Sequence, residues 1–169
     1  MLQSYNKEQA ILRINRLSEQ GKEFVFIIDY LQDCSYIEET NRLDSSFVLY
    51  NLNGFTNQDS IFPLRKTAVQ WNIDFPPFDQ YKPSFDYVLE NIRGGNSFLT
   101  NLTCRTLITT NLSLKEIFYH SKAMYKLWLK DAFVVFSPEI FVRIKGRKIY
   151  SYPMKGTIDA SLPDARERI

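Results

Sequence analysis

Two hydrophobic periods share this chain, and neither extends over the whole of it. Apolar residues recur at helical spacing in two places, Ala10–Ile14–Leu17 and Phe85–Val88–Leu89–Ile92; that spacing lines up one stripe of a helix. Elsewhere they gather in short β-rich runs: "FVFIIDY" (24–30), "SSFVLYNLNG" (45–54) and "FVVF" (133–136). Such runs are too short for helices and carry the aromatic and β-branched side chains of strands. The links between neighbouring runs include Asn53-Gly54, Lys130-Asp131 and a turn at Gly146. Links this short join antiparallel strands, since a parallel pair needs a crossover. The pattern predicts an α+β fold, mainly antiparallel sheets flanked by helices.

Local signals place the elements. Asn6 and Gln9 form a capping box for a helix over Lys7–Gln20, and Gly21 stops it. Phe24–Tyr30 reads as a buried strand, and the run at 45–54 as a strand entering an Asn-Gly turn. From Phe55 to Tyr81 the chain carries Pro63, Pro76 and Pro77; this reads as loop, with a short strand near Val69–Ile73. Ser84 is expected to cap the second helix and Gly94-Gly95 to end it. "SFLTNLTCRTLI" (97–108) reads as a strand, and Ser113 to Glu116 as a capping box opening a short helix at Leu114. "YKLWLKDAFVVFS" (125–137) divides into two strands, and "IFVRIKGRKIYSYPM" (140–154) into a hairpin. Ser161-Leu162-Pro163-Asp164 announces a further helix over 161–169.

Composition narrows the function classes. The 169 residues fit one unit, 44% hydrophobic and 15% aromatic, enough for a core. The net charge of +2 comes without a Lys/Arg-rich run, so nucleic acid is not an expected partner. No apolar run approaches the length of a membrane helix, and the N-terminus lacks the apolar stretch of a signal peptide. The two cysteines, Cys34 and Cys104, make neither a disulfide framework nor a zinc motif. His120 is the one histidine, which excludes chemistry needing two imidazoles; it reads as a helix-end side chain. A reducing, cytoplasmic location follows, and the sequons at Asn101 and Asn111 are then chance matches.

One stretch is odd on these terms: "YPMKGT" (152–157), a lysine held between an apolar residue and Gly-Thr, sixteen residues after Ser137-Pro138-Glu139. A loop lysine is ordinarily solvated, and a strand-edge glutamate ordinarily structural. Together, "FSPEIFVRIKGRKIYSYPMKGT" resembles the core of the chorismate-using enzymes. There a Ser-Pro-Glu strand leads through a hairpin to a loop of Pro, an apolar residue, Lys or Ala, then Gly-Thr. "FDYVLENIRGGNSFLTNLTCRT" (85–106) is similar to the same family's upstream helix, glycine turn and Asn-Leu-Thr strand. The likeness is motif-bearing over 85–160 and weak over 1–84.

The resemblance implies a fold, a reaction and a site. The fold would be an incomplete half of the chorismate-utilising architecture, with 161–169 opening a truncated helix. Lysine in the loop is the residue of aminodeoxychorismate synthases, component I (para-aminobenzoate synthases), where anthranilate synthases usually carry alanine. The implied product is 4-amino-4-deoxychorismate, on the way to para-aminobenzoate and folate. The implied roles are Lys155 as nucleophile on C2 of chorismate, Glu139 as general acid on the departing 4-hydroxyl, and Gly156 and Thr157 as holders of a substrate carboxylate. Ammonia from a glutamine amidotransferase partner would enter at C4. Magnesium would be the cofactor, its glutamate ligands in a second half that this chain lacks. The expectation is therefore that the chain alone is inactive and exposes apolar surface. Anthranilate synthase component I and a non-catalytic binding relic of the fold are the alternatives. The coding sequence past Ile169 separates enzyme from relic.

The residues set conditions of their own. A nucleophilic lysine must be neutral, yet at a reference pKa of ~10.4 about one in a few thousand is neutral at pH 7. A proton-donating glutamic acid needs its pKa raised from ~4.3. Burial in an apolar pocket pushes both the right way, whereas a tight ion pair between them would oppose it. Glu139 and Lys155 should therefore face one pocket with substrate between them. Side chains alternate along a strand, so they share a face only across a hairpin loop of odd length. A three-residue loop, Ile144-Lys145-Gly146, satisfies this, while a two-residue loop, Lys145-Gly146, does so only with a bulge; Pro153 suits either such a bulge or the end of pairing. With the odd loop, Ile140, Val142, Tyr150, Tyr152 and Met154 form an apolar, core-like face. Glu139, Phe141 and Arg143 then lie opposite, with Ser151, Pro153 and Lys155.

Overall fold

The computed structural model describes residues 2–59, 62, 68–136, 140, 142–145 and 148–152. In chain order the elements are β1 (Ser4–Tyr5), α1 (Lys7–Glu19), β2 (Phe24–Ile28), β3 (Ser35–Glu39), β4 (Val48–Leu52), β5 (Phe55–Thr56), β6 (Trp71–Asp74), α2 (Phe78–Arg93), β7 (Leu107–Thr110), α3 (Leu114–His120), β8 (Tyr125–Leu129), β9 (Phe133–Phe136), β10 (Val142–Lys145) and β11 (Lys148–Ser151). Every strand pair is antiparallel. The chain is α+β, as its two periods require, and divides into two compact units. One comprises Met1–Thr67 with Leu112–Pro138, the other Ala68–Asn111 with Glu139–Ile169.

In the first unit a three-stranded sheet has the order β1-β3-β2. Helix α1 begins where the sequence announces it: Asn6 accepts from the Gln9 N–H at 3.0 Å, and Gln9 Oε1 accepts from the Asn6 N–H at 3.2 Å. Its buried residues Ala10 and Leu17 meet Ile37 of β3, with Tyr5, Ile14 and Phe24 around them. The centre of this sheet is "SYIEE", a stretch with no strand signature, and β2 lies at the edge. "FVFII" is therefore not the buried strand its composition suggests: Phe26 is 55% and Ile28 43% exposed. Glu39 can occupy the centre because two cations, Lys22 and Arg42, each approach its carboxylate at 3.8 Å.

The same unit holds a four-stranded sheet, order β5-β4-β8-β9. The β4–β5 turn has Asn53 at φ 54° and Gly54 at φ 97°, the left-handed pair that Asn-Gly supplies at least cost. The other short turn, between β8 and β9, has Asp131 at φ 58°. Helix α3 opens on its capping box, Glu116 Nα donating to Ser113 Oγ at 3.2 Å and Ser113 Nα to Glu116 Oε2 at 2.8 Å. It buries Phe118 against Leu49 and Trp128, with Tyr119 and Val134 at the margin. Full burial of side chains this size contributes about 1.5–3 kcal/mol each.

The second unit is built otherwise. Among the described residues, strands β6 and β7 pair only with each other, and so do β10 and β11. Asn111 closes the end of β6: its Oδ1 accepts from the Gln70 N–H at 3.0 Å and its Nδ2 donates to Ala68 O at 3.0 Å. The strand expected over 97–108 forms only at its end, Leu107–Thr110; residues 97–106 are irregular. Helix α2 begins at Phe78, not after Ser84, and contains Pro83. The physical start signal is Pro76-Pro77, which holds the chain extended up to the first helical residue. The Pro77 carbonyl takes the Gln80 and Tyr81 N–H groups at 3.0 and 3.1 Å. The helix then runs through Pro83, whose ring already holds a helical φ, braced by a Lys82–Asp86 ion pair one turn apart.

Candidate functional site

Glu139, Lys155, Gly156 and Thr157 lie outside the described residues, as do Ser137, Pro138 and the stretch 161–169 expected to open a helix. What is described is the scaffold that leads to them. Strand β9 ends at Phe136, one residue before Ser137. The β10–β11 hairpin spans the interval, and Tyr152 ends the described chain three residues before Lys155.

That hairpin corrects the register. Val142 faces Ser151, Arg143 faces Tyr150, Ile144 faces Ile149 and Lys145 faces Lys148. Two residues, Gly146 and Arg147, make the link, where three had been expected over Ile144–Gly146. Ile144 and Lys145 instead take part in the ladder and gain its hydrogen bonds. The faces change with the register. Val142 and Ile144 group with Ile149 and Ser151, while Arg143 and Lys145 group with Lys148 and Tyr150. Neither is core-like: Ile144 and Ile149 are each 71% exposed. Continued without interruption, this register sets 139 and 155 on opposite faces, because the link is even in length. A shared face then requires a bulge, and Pro153 is the residue placed for one.

The other residues considered from sequence fall into ordinary places. His120 is exposed at the end of α3, where a cation suits the helix dipole. Asn101 and Thr103 are exposed in the irregular stretch before β7, and Arg143 is exposed on its strand. The Asn111 amide is committed to the backbone of Ala68 and Gln70.

A residue the sequence reading passed over is the most perturbed cation described. Lys126 of β8 is 4% exposed. Its Nζ donates to Phe118 O at 2.8 Å and Ser121 O at 2.9 Å and lies 4.4 Å from the Phe118 ring centre. Burial pushes its pKa below the ordinary lysine value. The signal was present: Lys126 alternates with Trp128, so a half-buried strand puts both on one face. With two carbonyls from the end of α3 as its partners, this ammonium holds the α3–β8 turn; its donors are spent on the fold.

Among the described residues no three His, Cys, Asp or Glu side chains are grouped so as to hold a metal ion. Among those residues, no helix is long and apolar enough to cross a membrane. The first unit has a small, mostly apolar cleft lined by Leu2, Val25, Ile27, Ile37, Leu43 and Val48, with Tyr36 and Glu38.

Comparison with known proteins decides the family. The family model for chorismate binding enzymes matches residues 3–168. The chain belongs to that family. The match includes the stretch before Phe85, where sequence motifs are weak. An uncharacterized PabA-like protein of Haemophilus influenzae is 39% identical over 162 residues, covering 96% of this chain and 49% of its own length. A second, from Pasteurella multocida, is 37% identical over 170 residues, covering 94% and 49%. The chain spans about half the length of these curated relatives. No solved structure matches.

Proposed function

We propose that this chain is the motif-bearing half of an enzyme that converts chorismate and ammonia to 4-amino-4-deoxychorismate. One observation carries the reading: a chain matched by the chorismate binding enzyme family from residue 3 to 168 has lysine, not alanine, in its Pro153-Met154-Lys155-Gly156-Thr157 loop. The "PabA-like" names of both relatives are in keeping with the para-aminobenzoate branch. A glutamine amidotransferase would supply ammonia, and magnesium, held by residues other than those described, would offset the charge of the substrate carboxylates.

In this reading the neutral Lys155 amine bonds to C2 of chorismate. Both ring double bonds shift, the C4–O bond breaks, and Glu139 gives its proton to the departing hydroxyl, which leaves as water. Ammonia then bonds to C4, both double bonds shift back, and the C2–N bond to Lys155 breaks, restoring the amine. Gly156 and Thr157 hold a substrate carboxylate beside the nucleophile. The described hairpin adds a condition: Pro153 must interrupt the ladder for Glu139 and Lys155 to face one substrate.

The test uses this chain joined to the part of the Haemophilus relative it does not match, supplied with chorismate, ammonium and magnesium. Formation of 4-amino-4-deoxychorismate is expected, with a loss of at least a hundredfold in Lys155→Ala. Anthranilate as the product would move the protein to the sister reaction. Near-normal aminodeoxychorismate formation by Lys155→Ala would remove the nucleophile assignment.

A further inference from the structure

The hairpin between the two motifs carries a charge pattern that the chemistry above does not use. From Ile140 to Ile158 the sequence has five cations, Arg143, Lys145, Arg147, Lys148 and Lys155, and no Asp or Glu. The whole chain is only +2, so the remainder is net negative. In sequence these cations are interleaved with Ile144 and Gly146. The two-residue link gathers them. Arg143 and Lys145 of β10 share a face with Lys148 and Tyr150 of β11. Lys145 stands directly opposite Lys148, and like charges so placed repel. Arg143, Lys145 and Lys148 are all exposed, and among the described residues none of them has an ion-pair partner. These charges therefore do not serve the hairpin's own stability.

Covalent geometry keeps this face near the two motifs. Arg143 lies four residues from Glu139, a span of at most about 14 Å. Lys148 lies seven residues from Lys155, a span of at most about 25 Å. Both distances fall within about three Debye lengths at ~0.1 M salt, and within one at ~0.01 M. At that range a cation does not grip a ligand, but it raises the local concentration of an anion. Chorismate, which gives the family its description, carries two carboxylates. We propose that Arg143, Lys145 and Lys148 form a collecting surface that draws dianionic chorismate toward Glu139 and Lys155 without touching the reacting atoms. This role rests on the assignment of Glu139 and Lys155 to the reaction, not on which product forms. A small anion suits the face better than an acidic protein. Four residues of two strands cover on the order of 13 Å by 10 Å, far less than the ~800 Å² per partner of a stable interface.

The experiment measures the chorismate Kd of the joined protein described above at ~10 mM and ~300 mM sodium chloride, with Lys155→Ala to prevent turnover. One variant removes the charges (Arg143→Gln, Lys145→Gln, Lys148→Gln). A second keeps them with different side chains (Arg143→Lys, Lys145→Arg, Lys148→Arg). The neutral variant should raise Kd about three- to fivefold at ~10 mM salt and less than about twofold at ~300 mM. The charge-keeping variant should match the parent at both. With Lys155 restored and ammonium supplied, the neutral variant should show the change in KM and not in kcat. Equal Kd values for parent and neutral variant at ~10 mM salt would overturn the proposal and leave the reaction assignment standing. So would a loss that persists at ~300 mM salt or in the charge-keeping variant, since that marks a direct contact or a structural role. An effect confined to glutamine-dependent activity with an amidotransferase would give the face to that protein instead. A joined protein that binds no chorismate at all would remove both the collecting surface and the reaction assignment.

Discussion

At the scale of single residues, three side chains of the described structure, one buried lysine and two asparagines, hold backbone groups. Lys126 holds two carbonyls at the end of α3. Asn57 and Asn111 act alike at two strand edges. Each accepts from one backbone N–H, of Tyr50 or Gln70, and donates to the carbonyl two residues earlier, of Val48 or Ala68. An amide can do this because it presents a donor and an acceptor side by side, as a neighbouring strand would. Lys126→Met keeps length and apolar stem but strands both carbonyls, and should cost about 2–3 kcal/mol in urea unfolding. It should also change the alkaline limb of stability. The lysine is held below 10.5 in the folded chain by burial. Between that lowered value and the unfolded one, the unfolded chain binds more protons, so stability rises with pH across the window. Tyr50 and Tyr119 act oppositely. Burial first, then the Glu23 and Asp59 carboxylates respectively, raise them above 10.0, so their contribution is full below 10.0 and falls as pH passes the raised values. In Lys126→Met only the fall should remain, measured as stability from pH 9 upward.

At the scale of elements, the clear signals were those satisfied within a few residues. The capping boxes at Asn6 and Ser113, the Asn53-Gly54 turn and the Lys130-Asp131 break were legible, because each depends on neighbours in sequence. The failures were contests between two local signals. Ser84 offered a cap, but Pro76-Pro77 offered an earlier start, and the helix took it at the expense of running through Pro83. Pro83→Ala should therefore slow exchange of the α2 amides that follow, by a local gain of about 1–3 kcal/mol. In the hairpin, glycine could serve as the last of three link residues or the first of two. The shorter link brings both Ile144 and Lys145 into the ladder, opposite Ile149 and Lys148. Helix α3 is tied to its sheet through one side chain above all, and Phe118→Ala should lower stability of the first unit by about 3–5 kcal/mol, read as an earlier urea midpoint.

At the scale of the whole molecule, the described residues of the first unit include two buried clusters, and none of the described residues of the second is buried. Assayed alone with chorismate, ammonium and magnesium, the chain should form no 4-amino-4-deoxychorismate above the uncatalysed rate. Turnover at an ordinary enzymatic rate would show that the second half is dispensable. The family was legible as an order of residues, Ser137-Pro138-Glu139 and then Pro153-Met154-Lys155-Gly156-Thr157, because the resemblance is carried by short stretches of fixed type. Whether the two stretches meet was not legible, since that depends on the parity of the hairpin between them.

The sequence by itself determined the α+β class, the strand and helix ends set by caps and turns, and the family that its motifs resemble. Those are decided by interactions within a few residues. Only the tertiary structure decided that "SYIEE" is a sheet centre and "FVFII" its edge, that Lys126 lies inside, and that the hairpin closes through two residues. Burial and register are settled by which distant segments pair, and no short stretch of sequence carries that energy alone.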